Sequence, residues 1–258
     1  MVNTENRYSD YDAYARIYNA RANKKSNWDV AVQVLNKLLL QHIPQRAHIF
    51  DLCCGSGQLA QKLLLQGYEV TGLDGSEQML NYARENAPKG KFILGDARSF
   101  TFPPTFHAVT STSVSLNHLM SIQDLEQVFQ NVYNILLNDG IFLFDLRLAE
   151  WVKSWNNSVD SAAIVDGYVN DNEVFCVRDI YDVSSSIAFN KVTIFQYVNN
   201  LWQRSDISLD LRIYSPEEVQ TSLEKVGFKD INIYDEERDL QLRGEAGKAL
   251  FVCGKLLN

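Results

Sequence analysis

Apolar residues follow two alternating rhythms through the first 150 positions of the chain. Short unbroken apolar runs predict strands buried on both faces, and longer runs with apolar residues every three or four positions predict amphipathic helices. The alternation of the two predicts an open, doubly wound and mostly parallel sheet of the Rossmann-like kind. The predicted strands of this region lie at about 47–52, 68–74, 91–94, 106–111 and 141–145.

The rhythm changes in the second half, where β-prone alternating runs follow one another between turn residues. These runs, at 174–180, 186–197 and 205–213, predict a small antiparallel sheet inserted into the larger fold. Two last strands, at about 229–235 and 248–254, lie close enough in sequence to pair antiparallel. The predicted fold class is therefore α/β: a doubly wound, Rossmann-like, mostly parallel seven-stranded sheet with an antiparallel last strand, and an inserted small antiparallel β-sheet.

Two structural units follow from this change of rhythm. Residues 1–150 and 213–258 are expected to form one ligand-binding Rossmann-like domain, with residues 1–45 as a helical lid. Residues 151–212 are expected to form an inserted subdomain that covers the substrate. A length of 258 residues suits one large α/β domain with such an insertion.

Charge and cysteine usage narrow the class of protein. The net charge is −8 at pH 7 and no cluster of lysine and arginine interrupts it, which disfavours nucleic-acid binding. No apolar run approaches the roughly 20 residues of a membrane span, and the first residues lack the layout of a signal peptide. We therefore expect a cytoplasmic monomer or homodimer with neither nucleic acid nor membrane as partner. The four cysteines show no Cys-x-x-Cys spacing, so neither a disulfide nor a metal site is expected.

The stretch at residues 47–60, AHIFDLCCGSGQLA, carries the most specific chemical signal. A strand ends in Asp51, a turn with Gly55 and Gly57 follows, and a helix begins at once. Glycine lets the backbone turn sharply and approach a ligand closely. The first turn of a helix presents unpaired N–H groups to the same place. This arrangement predicts a binding site for a nucleotide cofactor.

The residues of this site leave two cofactors open. Gly55-x-Gly57-x-x-Ala60, with Asp74 at the end of the next strand, satisfies the dinucleotide fingerprint. An acid at the place of Asp74 suits any ribose diol, so NAD and S-adenosylmethionine both qualify. Asp51 at the tip of the first strand would repel the pyrophosphate of NAD but attract the ammonium group of S-adenosylmethionine, which favours the second cofactor.

A third acid strengthens that interpretation. Asp96 follows the third strand, where a carboxylate can accept a hydrogen bond from an adenine amino group. With it the chain resembles the class I S-adenosylmethionine-dependent methyltransferases, small-molecule type. The family pattern Asp-Leu-Gly-Cys-Gly-Thr-Gly reads Asp51-Leu-Cys-Cys-Gly-Ser-Gly57 here, with Cys53 in place of the first glycine. The resemblance covers about 45–150 and 212–256.

The resemblance implies S-adenosylmethionine as cofactor, S-adenosylhomocysteine as product, and a set of cofactor contacts. It assigns Asp74 to the ribose and Met79 to the adenine, and it assigns the segment after the fourth strand to the methionine end. The cofactor-binding residues that it implies are Asp51, Cys53, Cys54, Gly55, Gly57, Asp74, Gly75, Met79, Asp96, Ala97, Ser111 and Thr112.

Methyl transfer from such a cofactor makes few demands on side chains. The sulfonium methyl is already electrophilic, so the enzyme must align a nucleophile, exclude water and, for some acceptors, remove a proton; no metal is required. Each candidate has a structural alternative: a lid tyrosine can be helix packing, a base histidine can be a capping group, and an anion-binding arginine can be half of a salt bridge. The catalytic and acceptor-site candidates are Tyr14, Tyr18, Asn117, His118, Arg147, Arg212 and Tyr214.

The expected function is transfer of a methyl group to an oxygen or nitrogen of a small-molecule acceptor by metal-free in-line displacement. The acidic charge and the inserted sheet favour a small acceptor over nucleic acid. Two alternatives stay open from sequence: an NAD-dependent oxidoreductase, and a protein that binds S-adenosylmethionine without catalysis.

Overall fold

The unbroken apolar runs form the strands of a seven-stranded sheet, and helices pack on both of its faces. The computed structural model describes residues 10–23, 27–149, 166–243 and 247–255. The strands of this sheet are β1 (His48–Leu52), β2 (Glu69–Asp74), β3 (Lys91–Leu94), β4 (Phe106–Ser111), β5 (Leu136–Arg147), β11 (Lys229–Asp235) and β12 (Lys248–Lys255).

The strand order of this sheet is β11-β12-β5-β4-β1-β2-β3. β12 pairs antiparallel with both β5 and β11, and the pairs among the other strands are parallel. The chain reverses its direction of winding between β1 and β4. The carboxyl ends of these strands therefore form a crevice of the kind at which open α/β sheets bind ligands. The predicted seven-stranded sheet with an antiparallel last strand is confirmed.

Helices cover the sheet because neighbouring residues of a strand point to opposite faces. In β1, Ile49 packs with the helices of one face and Phe50 with those of the other. Within the described ranges, no helix is long and apolar enough to cross a bilayer. The helices are α1 (Ala15–Ala22), α2 (Asn27–Leu38), α3 (Gln58–Leu65), α4 (Glu77–Asn86), α5 (Ile122–Ile135) and α6 (Pro216–Val226), with short 3-10 helices at Asp10–Ala13, Leu40–His42 and Ser115–His118.

A second, antiparallel sheet confirms the predicted insertion. The predicted strand at 205–213 is wrong as a single element, because Leu209 and Asp210 interrupt it and its two parts pair separately with the strand Ile187–Val198. Residues 151–165 of the predicted insertion lie outside the described residues. The strands of this sheet are β6 (Asp166–Val169), β7 (Glu173–Asp182), β8 (Ile187–Val198), β9 (Leu201–Ser208) and β10 (Leu211–Arg212).

The first described segment joins the two sheets. Ile17 of α1 is buried in an apolar cluster with the inserted sheet, and the ring of Tyr14 stacks on Phe175 of β7 with centroids 5.7 Å apart. Arg16 forms an ion pair with the buried Glu173. The predicted lid therefore packs on the inserted sheet as well as on the larger domain.

Helix α6 begins with a capping box. The side chain of Ser215 accepts a hydrogen bond from the backbone N–H of Glu218 at 3.2 Å, and the Glu218 carboxylate accepts one from Ser215 N at 2.9 Å. We expect Ser215→Ala to lower the free energy of unfolding by about 1 kcal/mol, because it removes an N-cap acceptor. Thr221→Ala, at an exposed position of the same helix, should leave stability unchanged or slightly higher. Equal urea midpoints for Ser215→Ala and the unmodified protein would contradict the capping role.

Candidate cofactor and acceptor site

The turn between β1 and α3 is built from left-handed backbone conformations. Gly55 and Gly57 have φ of 53° and 81°, and Cys53 has φ of 59°. A Cβ atom on Gly57 would lie 2.9 Å from the Cα of Ala83 in α4, so only glycine lets α3 and α4 approach this closely. Cys53 occupies the position at which the resembling family has glycine, and its φ explains that family preference.

Asp74 at the end of β2 fixes this turn. Its Oδ2 accepts a hydrogen bond from Gly55 N at 2.8 Å, and its Oδ1 accepts one from Ser76 N at 2.9 Å. Burial raises the pKa of Asp74, and the backbone N–H groups that it accepts from oppose that rise. Each carboxylate oxygen retains acceptor capacity, so the group can still bind the hydroxyl groups of a ribose.

Asp51 at the end of β1 is a buried acid with an unused oxygen. Its side chain accepts one long hydrogen bond, from Thr110 Oγ1 at 3.4 Å, and no described residue donates to its Oδ2. Burial raises the pKa of Asp51 to about 7. A buried carboxylate oxygen without a donor is costly unless a ligand supplies one. The ammonium group of S-adenosylmethionine is a donor that fits this need.

A cavity of about 440 Å³ lies at the carboxyl ends of the strands. Tyr11 and Tyr18 of the first segment and Leu209 of the insertion close it from above. Four acids and one arginine line it, so its charge is strongly negative. The residues of the predicted cofactor set that line this cavity are Cys53, Gly55, Asp74, Gly75, Met79, Asp96 and Ala97.

Asp96 lies in this cavity as an ionised acceptor. Arg98 donates to both of its oxygens, with Nη2 at 2.5 Å from Oδ2 and Nε at 2.9 Å from Oδ1. The Arg98 guanidinium therefore holds the pKa of Asp96 below its ordinary value.

The other predicted cofactor residues do not line this cavity. Cys54 is buried behind the turn, where a Cβ on Gly72 would meet its Sγ at 2.7 Å. Ser111 is fully buried at the end of β4, and Thr112 faces a second cavity. Gly57 and Asp51, already described, do not line the first cavity either.

His118 is held in one tautomer. A backbone carbonyl can only accept, so the contact of 2.8 Å between Nδ1 and the Asp210 oxygen places the proton on Nδ1. Nε2 then accepts from the hydroxyl of Tyr11 at 2.8 Å. Burial lowers the pKa of His118, so the ring is neutral at pH 7. Both rings line the first cavity.

Tyr11 was missed as a site residue by the sequence analysis, which singled out Tyr14 and Tyr18. The helical spacing could have identified it, since Tyr11 lies three positions before Tyr14 and would share its face of a helix. Its contact with His118 spans 107 positions and could not be inferred from spacing alone.

A second cavity of about 600 Å³ adjoins the first. Tyr18 and Ser113 line both cavities and so mark their junction. Of the predicted candidates, Tyr14, Thr112 and Arg147 also line the second cavity. The wall of this cavity includes Trp28, and several charged side chains project into it.

Three predicted candidates line neither cavity and instead hold the loop that carries His118. Asn117 is fully buried; its Nδ2 donates to Arg212 O at 2.7 Å and its Oδ1 accepts from Arg147 N at 2.8 Å. The Tyr214 hydroxyl donates to Leu119 O at 2.5 Å. The Arg212 guanidinium lies 3.5 Å from the Glu218 carboxylate. Arg212 therefore forms a salt bridge with Glu218, which is the structural alternative to anion binding for this arginine.

No three His, Cys, Asp or Glu side chains in the described part of the chain are grouped so that they could hold a metal ion.

Known proteins share this sequence pattern and this fold. A family model described as "Methyltransferase domain" matches residues 49–140. The chain is 26% identical to the Bacillus subtilis (strain 168) protein YqeM, named as a methyltransferase, over 83% of this chain and 86% of that protein. It is also 26% identical to the glycine/sarcosine N-methyltransferase of Aphanothece halophytica, over 77% of this chain and 71% of the relative. Other curated relatives are matched over only 57% and 50% of their length.

A solved structure agrees in fold. S-adenosylmethionine-bound CalS10, an amino pentose methyltransferase from Micromonospora echinaspora, superimposes with a TM-score of 0.70 over 98% of this chain and 100% of that chain, at 19% identity. Residues 49–140 therefore match a methyltransferase domain, and the chain has the fold of S-adenosylmethionine-dependent methyltransferases of known structure.

The buried acid at the end of β1 allows a test in which stability and binding change in opposite directions. The folded pKa of Asp51 is about 7, against an ordinary value of 3.8. The ligand-free fold therefore retains a proton that the unfolded chain releases, and its stability declines as the pH rises from about 4 to about 7. We expect Asp51→Asn to raise the melting temperature at pH 8 and to weaken S-adenosylmethionine binding about tenfold or more.

The control for this experiment is Asp139→Asn, which changes an exposed acid at a left-handed position that asparagine tolerates. It should alter neither quantity. Thermal unfolding across pH and calorimetric titration measure the two effects. Unchanged cofactor affinity in Asp51→Asn would remove Asp51 from the ammonium site.

Proposed function

We propose that this enzyme transfers a methyl group from S-adenosylmethionine to a nitrogen or oxygen of a small-molecule acceptor bound in the second cavity. The observation that carries the proposal is the junction at Tyr18 and Ser113, through which the acid-lined first cavity meets the second. A cofactor in the first cavity and an acceptor in the second would meet there.

The first cavity fits the cofactor in charge and in hydrogen bonding. Asp74 would bind the ribose, Met79 and Asp96 the adenine, and Asp51 the ammonium group. When bound, the cofactor supplies an electrophilic methyl group on a sulfonium. The same excess of acids opposes a pyrophosphate, so the NAD-dependent alternative is not favoured.

Under this proposal, each of the two predicted structural units binds or covers a different ligand. Residues 1–150 and 213–258 would form the S-adenosylmethionine-binding domain, with residues 1–45 as the lid, and 151–212 would cover the acceptor. Support comes from Tyr11 of the lid, which lines the first cavity, and from Asp166 of the insertion, which lines the second. Both elements would keep water away from the reacting groups.

His118 is the proposed proton acceptor. Its neutral ring and fixed tautomer direct the lone pair of Nε2 to the Tyr11 hydroxyl at the cavity wall. The reacting group of an acceptor that extends through the junction into the first cavity would pass its proton to the Tyr11 hydroxyl, which in turn donates its own proton to Nε2. An acceptor that binds as an ammonium must lose a proton to a base before its nitrogen can attack, and a neutral amine releases a proton after it is methylated; a base at this place would accept that proton.

The acceptor atom is proposed to be nitrogen in the first instance. The names of two relatives point that way: a glycine/sarcosine N-methyltransferase and an amino pentose methyltransferase. Formation of S-adenosylhomocysteine should be measured with a panel of amino acids, amino sugars and hydroxylated analogues. Binding of S-adenosylmethionine with no turnover on any of them would favour the non-catalytic alternative.

Replacement of the proposed base should separate catalysis from binding. We expect His118→Gln, which keeps a donor near Asp210 O, to lower kcat about 10²-fold or more without changing S-adenosylmethionine affinity. The pH profile of kcat should rise through a pKa below 6.5 in the unmodified enzyme, because burial lowers the pKa of His118. The variant should lose this limb.

Tyr11→Phe is the companion variant. It removes the hydroxyl that donates to Nε2, and with it an interaction that favours the neutral ring. We expect the acidic limb of kcat to move to higher pH while the fold and the cofactor affinity stay unchanged. A His118→Gln enzyme with full kcat and an unchanged pH profile would contradict the proposed base.

A further inference from the structure

The loop between β4 and the 3-10 helix Ser115–His118 has an uncommon backbone. Ser113 and Val114 follow each other in the left-handed region, with φ of 64° and 56°. A side chain that branches at Cβ is disfavoured there, so Val114 adopts a conformation that an unconstrained valine avoids. Strained positions of this kind persist only where neighbouring groups hold them, and they cluster at functional sites.

Asp145 of β5 supplies the group that holds this loop. Its Oδ2 accepts a hydrogen bond from Ser113 N at 3.1 Å, and its Oδ1 accepts one from Val114 N at 2.6 Å. Two successive N–H groups thus point at one carboxylate, which is the arrangement by which such turns bind anions. Only 2% of Asp145 is exposed, so these bonds are shielded from water.

A second contact anchors the other end of the loop to the same strand. The Asn117 side chain donates to Arg147 O at 3.2 Å and accepts from Arg147 N at 2.8 Å. Asp145 and Arg147 both lie at the carboxyl end of β5. The end of this strand therefore fixes the first residues of the loop and also its last turn, which carries His118.

The loop held in this way lies where the two cavities meet. Ser113 lines both cavities, Val114 lines the second and His118 lines the first. Burial raises the pKa of Tyr18, and a hydrogen bond with the Ser113 side chain opposes that rise. The first residue of the loop is thus bonded to the lid as well as to β5.

A structural alternative exists for Asp145. Lys248 Nζ of β12 lies 3.6 Å from its Oδ2, so the carboxylate also balances a lysine of the same cavity wall. The same Nζ lies closer to Glu236, at 2.5 Å from Oε1. Both oxygens of Asp145, by contrast, are bonded to the loop. The loop contacts therefore distinguish Asp145 from Glu236, although both face the same lysine.

We propose that Asp145 is a positioning residue for methyl transfer: its carboxylate holds Ser113 and Val114 in their left-handed conformations and so fixes the junction of the two cavities. The inference rests on the proposed function, since it names a residue that arranges that same site. A loop released from Asp145 would relax toward the conformations that valine prefers and would move Ser113. Methyl transfer depends on such positions, because a misplacement of about 1 Å can cost about a hundredfold in rate.

The first measurement needs no acceptor. Amide hydrogen exchange of residues 112–118 is followed by mass spectrometry in the full-length protein saturated with S-adenosylhomocysteine. We expect Asp145→Asn to speed this exchange about tenfold or more, because the NH₂ group of asparagine cannot accept one of the two bonds. Glu236→Gln is the control: it removes a charge from the same lysine, and exchange of residues 112–118 should stay as in the unmodified protein.

The second measurement is kcat at saturating substrates, with an acceptor identified from the panel of amino acids, amino sugars and hydroxylated analogues. We expect Asp145→Asn to lower kcat about tenfold or more, with little change in S-adenosylhomocysteine affinity. Adding Val114→Asn, a residue type that tolerates the left-handed region, should restore part of this loss. Adding Val114→Thr, which keeps the branched shape, should restore none of it.

Three results would overturn the inference. The first is unchanged exchange of residues 112–118 in Asp145→Asn. The second is full kcat in the same variant. The third is an equal effect of Val114→Asn and Val114→Thr when each is added to Asp145→Asn, which would give Asp145 a purely structural role beside Lys248.

The stability of the single variants keeps the inference testable if Asp145→Asn does not fold. In the otherwise unmodified protein, Val114→Asn should melt at a higher temperature than Val114→Thr, because only asparagine relieves the strain of the left-handed position. An equal or lower melting temperature would overturn the inference. Absence of turnover on every acceptor, with hydrogen exchange as expected, would instead overturn the proposed function, and the inference with it.

Discussion

The site depends on the bonds that Asp74 makes to two separate turns. One oxygen binds Gly55 in the turn after β1, and the other binds Ser76 at the start of α4. Ser76 in turn caps α4 and donates to Asp12 of the first described segment at 2.5 Å. Hydrogen bonds to an ionised group are worth roughly 1.5–3 kcal/mol each. Asp74 therefore couples the glycine turn, the next helix and the first segment within one contact network.

The crevice above the sheet has two parts that differ in the charge of their lining residues. Asp51, Asp74 and Asp96 end three neighbouring strands or follow them directly, so the crevice over β1, β2 and β3 is acidic. Over β5 and β12 the lining becomes basic. The two cavities, which share Tyr18 and Ser113, therefore differ in the balance of their charged lining residues.

The sequence predicts the sheet well because strand identity is local. The apolar runs, the glycine turn and the acids at strand ends each lie within a few residues, and the fold class and the cofactor follow from them. The break of 205–213 at Leu209 and Asp210 was not predictable from β-propensity. Asp210 uses this break to present its carbonyl to His118, a contact across 92 positions.

The acceptor side is less predictable for the same reason. Asn117, Arg212 and Tyr214 have residue types common in active sites, but their hydrogen bonds reach partners about 30 to 95 positions away and hold the loop beside His118. Arg243 gives no local signal in the sequence for its place in the lining of the second cavity.

The most direct test of the account is calorimetric titration of the purified protein with S-adenosylmethionine, S-adenosylhomocysteine and NAD under one set of conditions. We expect saturable binding of the first two, about a hundredfold or more tighter than NAD. Tighter binding of NAD than of either adenosyl compound would contradict the assignment of S-adenosylmethionine as cofactor. It would indicate that Gly55-x-Gly57-x-x-Ala60 binds a dinucleotide.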